Sequence, residues 1–173
     1  MKLLVMLRGV AILAAAVFSA VLPFKAAWAA GSSQDNLDIS ASIAANCTIN
    51  AGTVAFGAYD PIVANATTDL PGTGTVSVTC TAGATSLTIE LGLGLNATGS
   101  TRRMLAGAGE YLTYELYQNV GHTTLWGTTT DARSVATGTG SAQPYTVYGL
   151  IPQGQNTAVV GSYTDTVVAT INF

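Results

Sequence analysis

Two cysteines, one histidine and nine carboxylates are the side chains of this sequence with types suited to chemistry. Cys47 and Cys80 are the only thiols, and no histidine or second cysteine pair lies near either, so metal ligation is poorly served. In an exported chain an even pair reads as one disulfide. It would close a loop of about 33 residues, worth about 3–4 kcal/mol in the chain-entropy model. His122 stands in a polar turn, N-V-G-H-T-T, and reads as a solvated loop histidine. Glu110 and Glu115 are five apart, which sends them to opposite faces of one strand and makes a poor acid–base pair. Asp60 and Asp165, each near a tyrosine, read as hydrogen-bonding structural residues rather than calcium ligands. No G-x-S-x-G, H-E-x-x-H or C-x-x-C occurs. The glycine pairs 72/74, 92/94 and 138/140 lack the following helix and lysine of a phosphate cradle. Tyr59, Tyr111, Tyr117, Trp126 and Tyr148 fit core and interface packing better than a ligand platform. The chain therefore reads as non-enzymatic, with no cofactor and no metal.

The elements that would position these residues begin with a targeting segment. Lys2 and Arg8 precede the apolar run Gly9–Leu22, which is shorter than the ~20 residues a spanning helix needs. Ala27-Trp28-Ala29 follows, with small residues at both cleavage-site positions, so residues 1–29 read as a secretory signal peptide. Beyond it the only basic residues are Arg102, Arg103 and Arg133 against nine acids, and lysine is absent. A chain this acidic carries no electrostatic footprint for nucleic acid or anionic lipid. No stable membrane insertion is expected once the signal is removed.

After the signal the apolar residues recur at period two, the pattern of strands buried on one face. In N-L-D-I-S-A-S-I-A-A-N-C, residues 36–47, Leu37, Ile39, Ala41, Ile43 and Ala45 share a face. Thr53–Phe56 is a short β-like run, and residues 62–73 read as loop. Thr75–Cys80, Ser86–Leu91, Tyr111–Tyr117 and Tyr145–Ile151 alternate next, with Leu112, Tyr114 and Leu116 expected inward. The chain closes on Tyr163–Phe173, where Val167, Ala169, Ile171 and Phe173 share a face. Seven or so short strands with glycine turns indicate a single all-β domain, a Greek-key β-sandwich. An amphipathic strand at each terminus, with few charges to block edge pairing, is unusual for a lone sandwich.

The ordered set of motifs resembles the spore coat protein U domain family, the subunit family of Csu-type (archaic) chaperone–usher fimbriae. The set comprises Cys47 with its alternating leader, F-G-A-Y-D-P at 56–61, V-S-V-T-C at 76–80 and R-R-M at 102–104. It continues with L-T-Y-E-L-Y at 112–117, L-W-G at 125–127, V-Y-G-L-I-P-Q-G-Q at 147–155 and G-S-Y-T-D-T-V-V-A-T-I-N-F at 161–173. The resemblance implies an incomplete immunoglobulin-like, pilin-like sandwich lacking its last strand, with a hydrophobic groove in its place. A periplasmic chaperone fills the groove first, and at the outer-membrane usher the N-terminal segment of a neighbouring subunit replaces it. Such strand addition takes affinity from backbone hydrogen bonds and specificity from alternate side chains. Head-to-tail contacts of this kind do not close, so they give a filament.

Carried onto this sequence, the resemblance makes residues 30–46 the donor segment and 47–173 the sandwich domain. Leu37, Ile39, Ala41 and Ile43 become the inserted set, and burying the three large ones would contribute roughly 5–9 kcal/mol before ordering costs. Val167, Ala169, Ile171 and Phe173 would border the acceptor groove and meet the chaperone. Cys47–Cys80 would staple the first strand of the domain to the second. The implied role is a structural fimbrial subunit supporting adhesion and biofilm formation at the cell surface. The alternative is a monomeric or coat-forming secreted module, spore-coat-like or carbohydrate-binding.

Overall fold

Alternation decides where the strands lie. A computed structural model describes residues 30–107 and 109–173; the expected signal peptide, 1–29, lies outside them. The chain divides after Ser40 into two units. The described residues of the first, 30–40, carry no helix or strand.

The second unit is all-β. Its strands are β1 (Cys47–Ala51), β2 (Leu70–Cys80), β3 (Thr88–Leu91), β4 (Arg102–Ala106), β5 (Glu110–Tyr117), β6 (Arg133–Ser134), β7 (Gln143–Ile151) and β8 (Ala169–Asn172). A single 3-10 turn, Thr129–Asp131, is the helical element among the described residues. One sheet runs β1-β2-β7-β5-β4 and the other β6-β3-β8, with every pairing antiparallel. This is the expected two-sheet sandwich. Between the sheets lie Val76, Val78, Ile89, Leu91, Val147 and Ile151 with Leu112, Tyr114 and Leu116, each of the last three 4% exposed. Trp126 is wholly buried among them and donates its indole N–H to Ile89 O at 2.9 Å.

Several strands depart from the sequence pattern for local reasons. β2 starts at Leu70, inside the stretch expected to be loop, because Pro71, Gly72 and Gly74 carry turn chemistry into a strand. These glycines have a packing purpose. Gly72 pairs with Gly149 of β7, and the Phe56 ring lies over both. A Cβ would stand 2.7 Å from Phe56 Cδ1 at Gly72 and 2.6 Å from Phe56 Cζ at Gly149. The ring also meets Tyr114 edge-on, centroids 6.2 Å apart. Thr53–Phe56 itself is no full strand and makes one bridge, Ala55 to Thr73. β4 was not expected as a strand, because its inward position is filled by Arg102, which breaks the apolar alternation. Of Tyr163–Phe173 only Ala169–Asn172 pairs as a strand; residues before it bridge to the other sheet through Thr164 and Leu105. Among the described residues no helix is long and apolar enough to cross a membrane.

Candidate functional site

Among the described residues the last strand is paired on one side only. Among them β8 pairs with β3 alone, through Thr88↔Asn172 to Leu91↔Ala169, and so forms an edge of its sheet. Its alternation is clear, with Val167, Ala169 and Ile171 half-buried against the core and Val168 and Thr170 exposed. Phe173 is 58% exposed. β1, at the edge of the five-stranded sheet, pairs among the described residues with β2 alone and approaches β8. Cys47 and Ile171 pack together on the small cluster of Cys80, Ala84 and Leu87. Two strand edges, one from each sheet, thus flank a strip of core where Ile49, Val167, Ala169 and Ile171 are only half covered. Free backbone N–H and C=O groups beside a part-exposed apolar strip are the requirements for accepting a further strand.

The β1 edge is fixed at its first residue. Cys47 and Cys80 stand opposite one another in register and form the disulfide. Asn46 N–H donates to Thr81 Oγ1 at 3.1 Å, and Thr81 N–H donates back to Asn46 O at 2.9 Å. The chain preceding Cys47 therefore leaves the domain from a braced root.

The β8 edge is fixed by polar groups ahead of it. Thr164 and Leu105 exchange two backbone hydrogen bonds, 2.8 and 3.0 Å, and Gly92 N–H donates to Val168 O at 2.9 Å. Between them the Asp165 carboxylate accepts from Leu95 N–H (3.0 Å), Asn96 N–H (3.2 Å), Asn96 Nδ2 (3.0 Å) and Tyr114 O–H (2.7 Å). Burial, then the hydrogen bond to Asp165 and that group's charge, push the Tyr114 phenol well above its ordinary pKa of 10.0. Nearby, Arg102 is 2% exposed and pairs with Glu115 at 3.1 Å. It also donates to Gly92 O, Leu91 O and Trp126 O at 2.9–3.0 Å. Asp60 shapes the 60–65 turn by accepting from Ile62 and Val63 N–H at 3.0 and 3.1 Å. These bonds, Val63's foremost, lower its pKa below 3.8.

The other residues singled out in the sequence fall as follows. Leu37, Ile39 and Ile43 are 86%, 88% and 88% exposed, Ala41 is exposed, and none lies in a strand. Cys47 and Cys80 are joined. The five aromatics do not form one platform. Trp126 is core, the Tyr59 hydroxyl bridges Pro152 O and Gln155 N–H, and Arg103 stacks on Tyr111 at 3.8 Å. His122 is not a solvated loop side chain: it is half-buried, edge-on to Tyr117 at 5.2 Å and Tyr148 at 6.5 Å. Among the described residues no three His, Cys, Asp or Glu side chains group to hold a metal ion. Sequence reasoning missed the β1 edge, whose only signal is the alternation of Cys47 and Ile49, and the buried Arg102.

Comparison with known proteins places this geometry in a family. The Spore Coat Protein U domain model matches residues 33–170. Protein U of Myxococcus xanthus is 43% identical over 176 residues, which span 94% of this chain and 95% of that protein. Among solved structures, a match is the CsuC–CsuE chaperone–tip adhesion subunit pre-assembly complex from archaic chaperone–usher Csu pili of Acinetobacter baumannii. It has a TM-score of 0.54 at 21% identity, covers 76% of this chain and 41% of the matched one, and is a likeness of fold. The chain belongs to the Spore Coat Protein U domain family.

Proposed function

We propose that this chain is an exported, non-enzymatic subunit of a surface fimbria, assembled through the chaperone–usher pathway by donor-strand exchange. The observation that carries the reading is the pairing of two unsatisfied features on one chain. Leu37, Ile39, Ala41 and Ile43 alternate along an exposed segment, and the half-covered strip beside β8 has a free strand edge. An exposed apolar set of this kind in a secreted chain is a solubility hazard unless a partner covers it. Each feature is what the other needs. The segment of one subunit enters the groove of the next, after a periplasmic chaperone has occupied it and an outer-membrane usher has exchanged the two. The sandwich is incomplete in this sense, and its own last strand comes from a neighbour. The resulting fibre serves adhesion and biofilm formation.

Export of the full chain with chaperone and usher yields surface fibres, visible by electron microscopy. Deleting residues 30–43 leaves a subunit that still binds the chaperone but joins no fibre. Fibres of wild-type length and number from the deletion would sink the proposal. A second reading, a monomeric or coat-forming secreted module whose own N-terminal strand completes the sandwich, draws on the family's description as a spore coat domain. It predicts a heat-stable monomer when the chain is exported without any chaperone.

A further inference from the structure

We infer that Asp165 is the positioning residue of the acceptor strand, holding β8 in place before any donor arrives. Three parts of the domain converge on this one carboxylate. The β3–β4 loop supplies two backbone N–H groups and the Asn96 amide, β5 supplies the Tyr114 hydroxyl, and Asp165 itself belongs to the segment entering β8. The loop is shaped to receive it. Gly94 has φ +93°, and a Cβ there would collide with the Asp165 carboxylate. Asn96 adds a further bond from Nδ2 to Thr164 O at 3.3 Å, and Arg103 Nε holds Asn96 O at 3.1 Å.

The consequence lies four residues on. Val167, Ala169 and Ile171 owe their facing to where the chain enters β8, since a shift of one residue sends every side chain to the opposite face. β8 is only Ala169–Asn172 and among the described residues gains ladder bonds from β3 alone, so its own pairing is weak compared with a strand held on both sides. A carboxylate taking four hydrogen bonds supplies the missing constraint. It does so without occupying the edge that a donor must use. An ordered acceptor edge avoids the ordering cost at the moment of binding, which is the sense in which preorganisation raises affinity. The link to strand acceptance rests on the donor-strand reading above; the clamp on β8 does not.

The test compares the intact chain with Asp165→Asn and Tyr114→Phe. Asn keeps the shape but removes the charge, and with its oxygen on the loop donors its NH₂ meets the tyrosine, whose hydroxyl must then accept where it had donated; Phe removes the hydroxyl alone. In the chain by itself, amide hydrogen exchange should rise at least tenfold across residues 166–172 in Asp165→Asn, while β2 and β7 amides stay unchanged. Tyr114→Phe should give a smaller rise confined to the same residues. A labelled peptide of residues 33–46 should bind Asp165→Asn at least tenfold more weakly than the parent. Unchanged or uniformly raised exchange overturns the inference, as does equal peptide affinity in parent and variant. A local rise in exchange with no peptide bound by the parent upholds the clamp and overturns the donor-strand function.

Discussion

Arg102 is the residue on which the two sheets most depend for polar satisfaction. It is buried at 2% exposure and answers the carbonyls of Leu91, Gly92 and Trp126. Arg102→Ala strands these acceptors in the core beside a void and should cost about 3–5 kcal/mol, read as a lowered urea midpoint. Glu115, its partner, is 27% exposed, so Glu115→Gln should cost only about 1 kcal/mol or less. Tyr114 carries a pH dependence. Its folded pKa lies above the unfolded value of 10.0, so its contribution is fully present below about pH 10 and fades as pH rises beyond it. Urea midpoints of the parent should fall more steeply than those of Tyr114→Phe above pH 10. Parallel pH profiles would show that the phenol is not held as described. Residue chemistry was only partly legible. Asp165 could be read as a hydrogen-bonding residue, but its partners lie 51, 69 and 70 residues away and no local spacing announces them.

The elements follow from period-two patterning wherever one face meets the core and the other meets water. β5 and β7 were legible for that reason, with Leu112, Tyr114, Leu116 and Val147 buried in alternation. The pattern fails where tertiary packing replaces it. The first half of β2 carries Pro71, Gly72 and Gly74, which read as a turn because the Phe56 ring that needs the space comes from elsewhere in the chain. Gly149→Ala on β7 puts a methyl group into that ring and into Val54, so it should destabilise by about 1–3 kcal/mol. A thermal midpoint unchanged from the parent would mean the ring is free to move aside. The stretch at 36–45 shows the converse. Its alternation, broken only by Ala44, is that of a strand, yet it forms none, because alternation marks a face suited to burial and does not supply the partner that would cover it. The disulfide at Cys47 and the bonds between Asn46 and Thr81 make a firm boundary between this stretch and β1.

At the scale of the whole molecule, the chain exposes apolar side chains at Leu37, Ile39 and Ile43 that its described residues do not cover. Each chain offers an apolar, alternating segment and a half-covered edge, and under the proposed donor-strand exchange two neighbours satisfy both. On that proposal the contact is head-to-tail and would grow a filament instead of closing. Composition fits an exterior role, with few charges and no lysine after residue 25. The fold class was legible from strand spacing and glycine turns, and the family from its ordered motifs. The β8 segment was marked by its alternation and by the family resemblance, but that it pairs on one side among the described residues shows only in the sheet order. The most direct measurement is the mass distribution of the exported chain set against a variant carrying Leu37→Asp, Ile39→Asp and Ile43→Asp together. Unheated, the parent should give a ladder of polymers spaced by one subunit, and the variant should run as monomer or chaperone complex with its fold intact. A parent that stays monomeric, or a triple variant with the same ladder, would contradict the account.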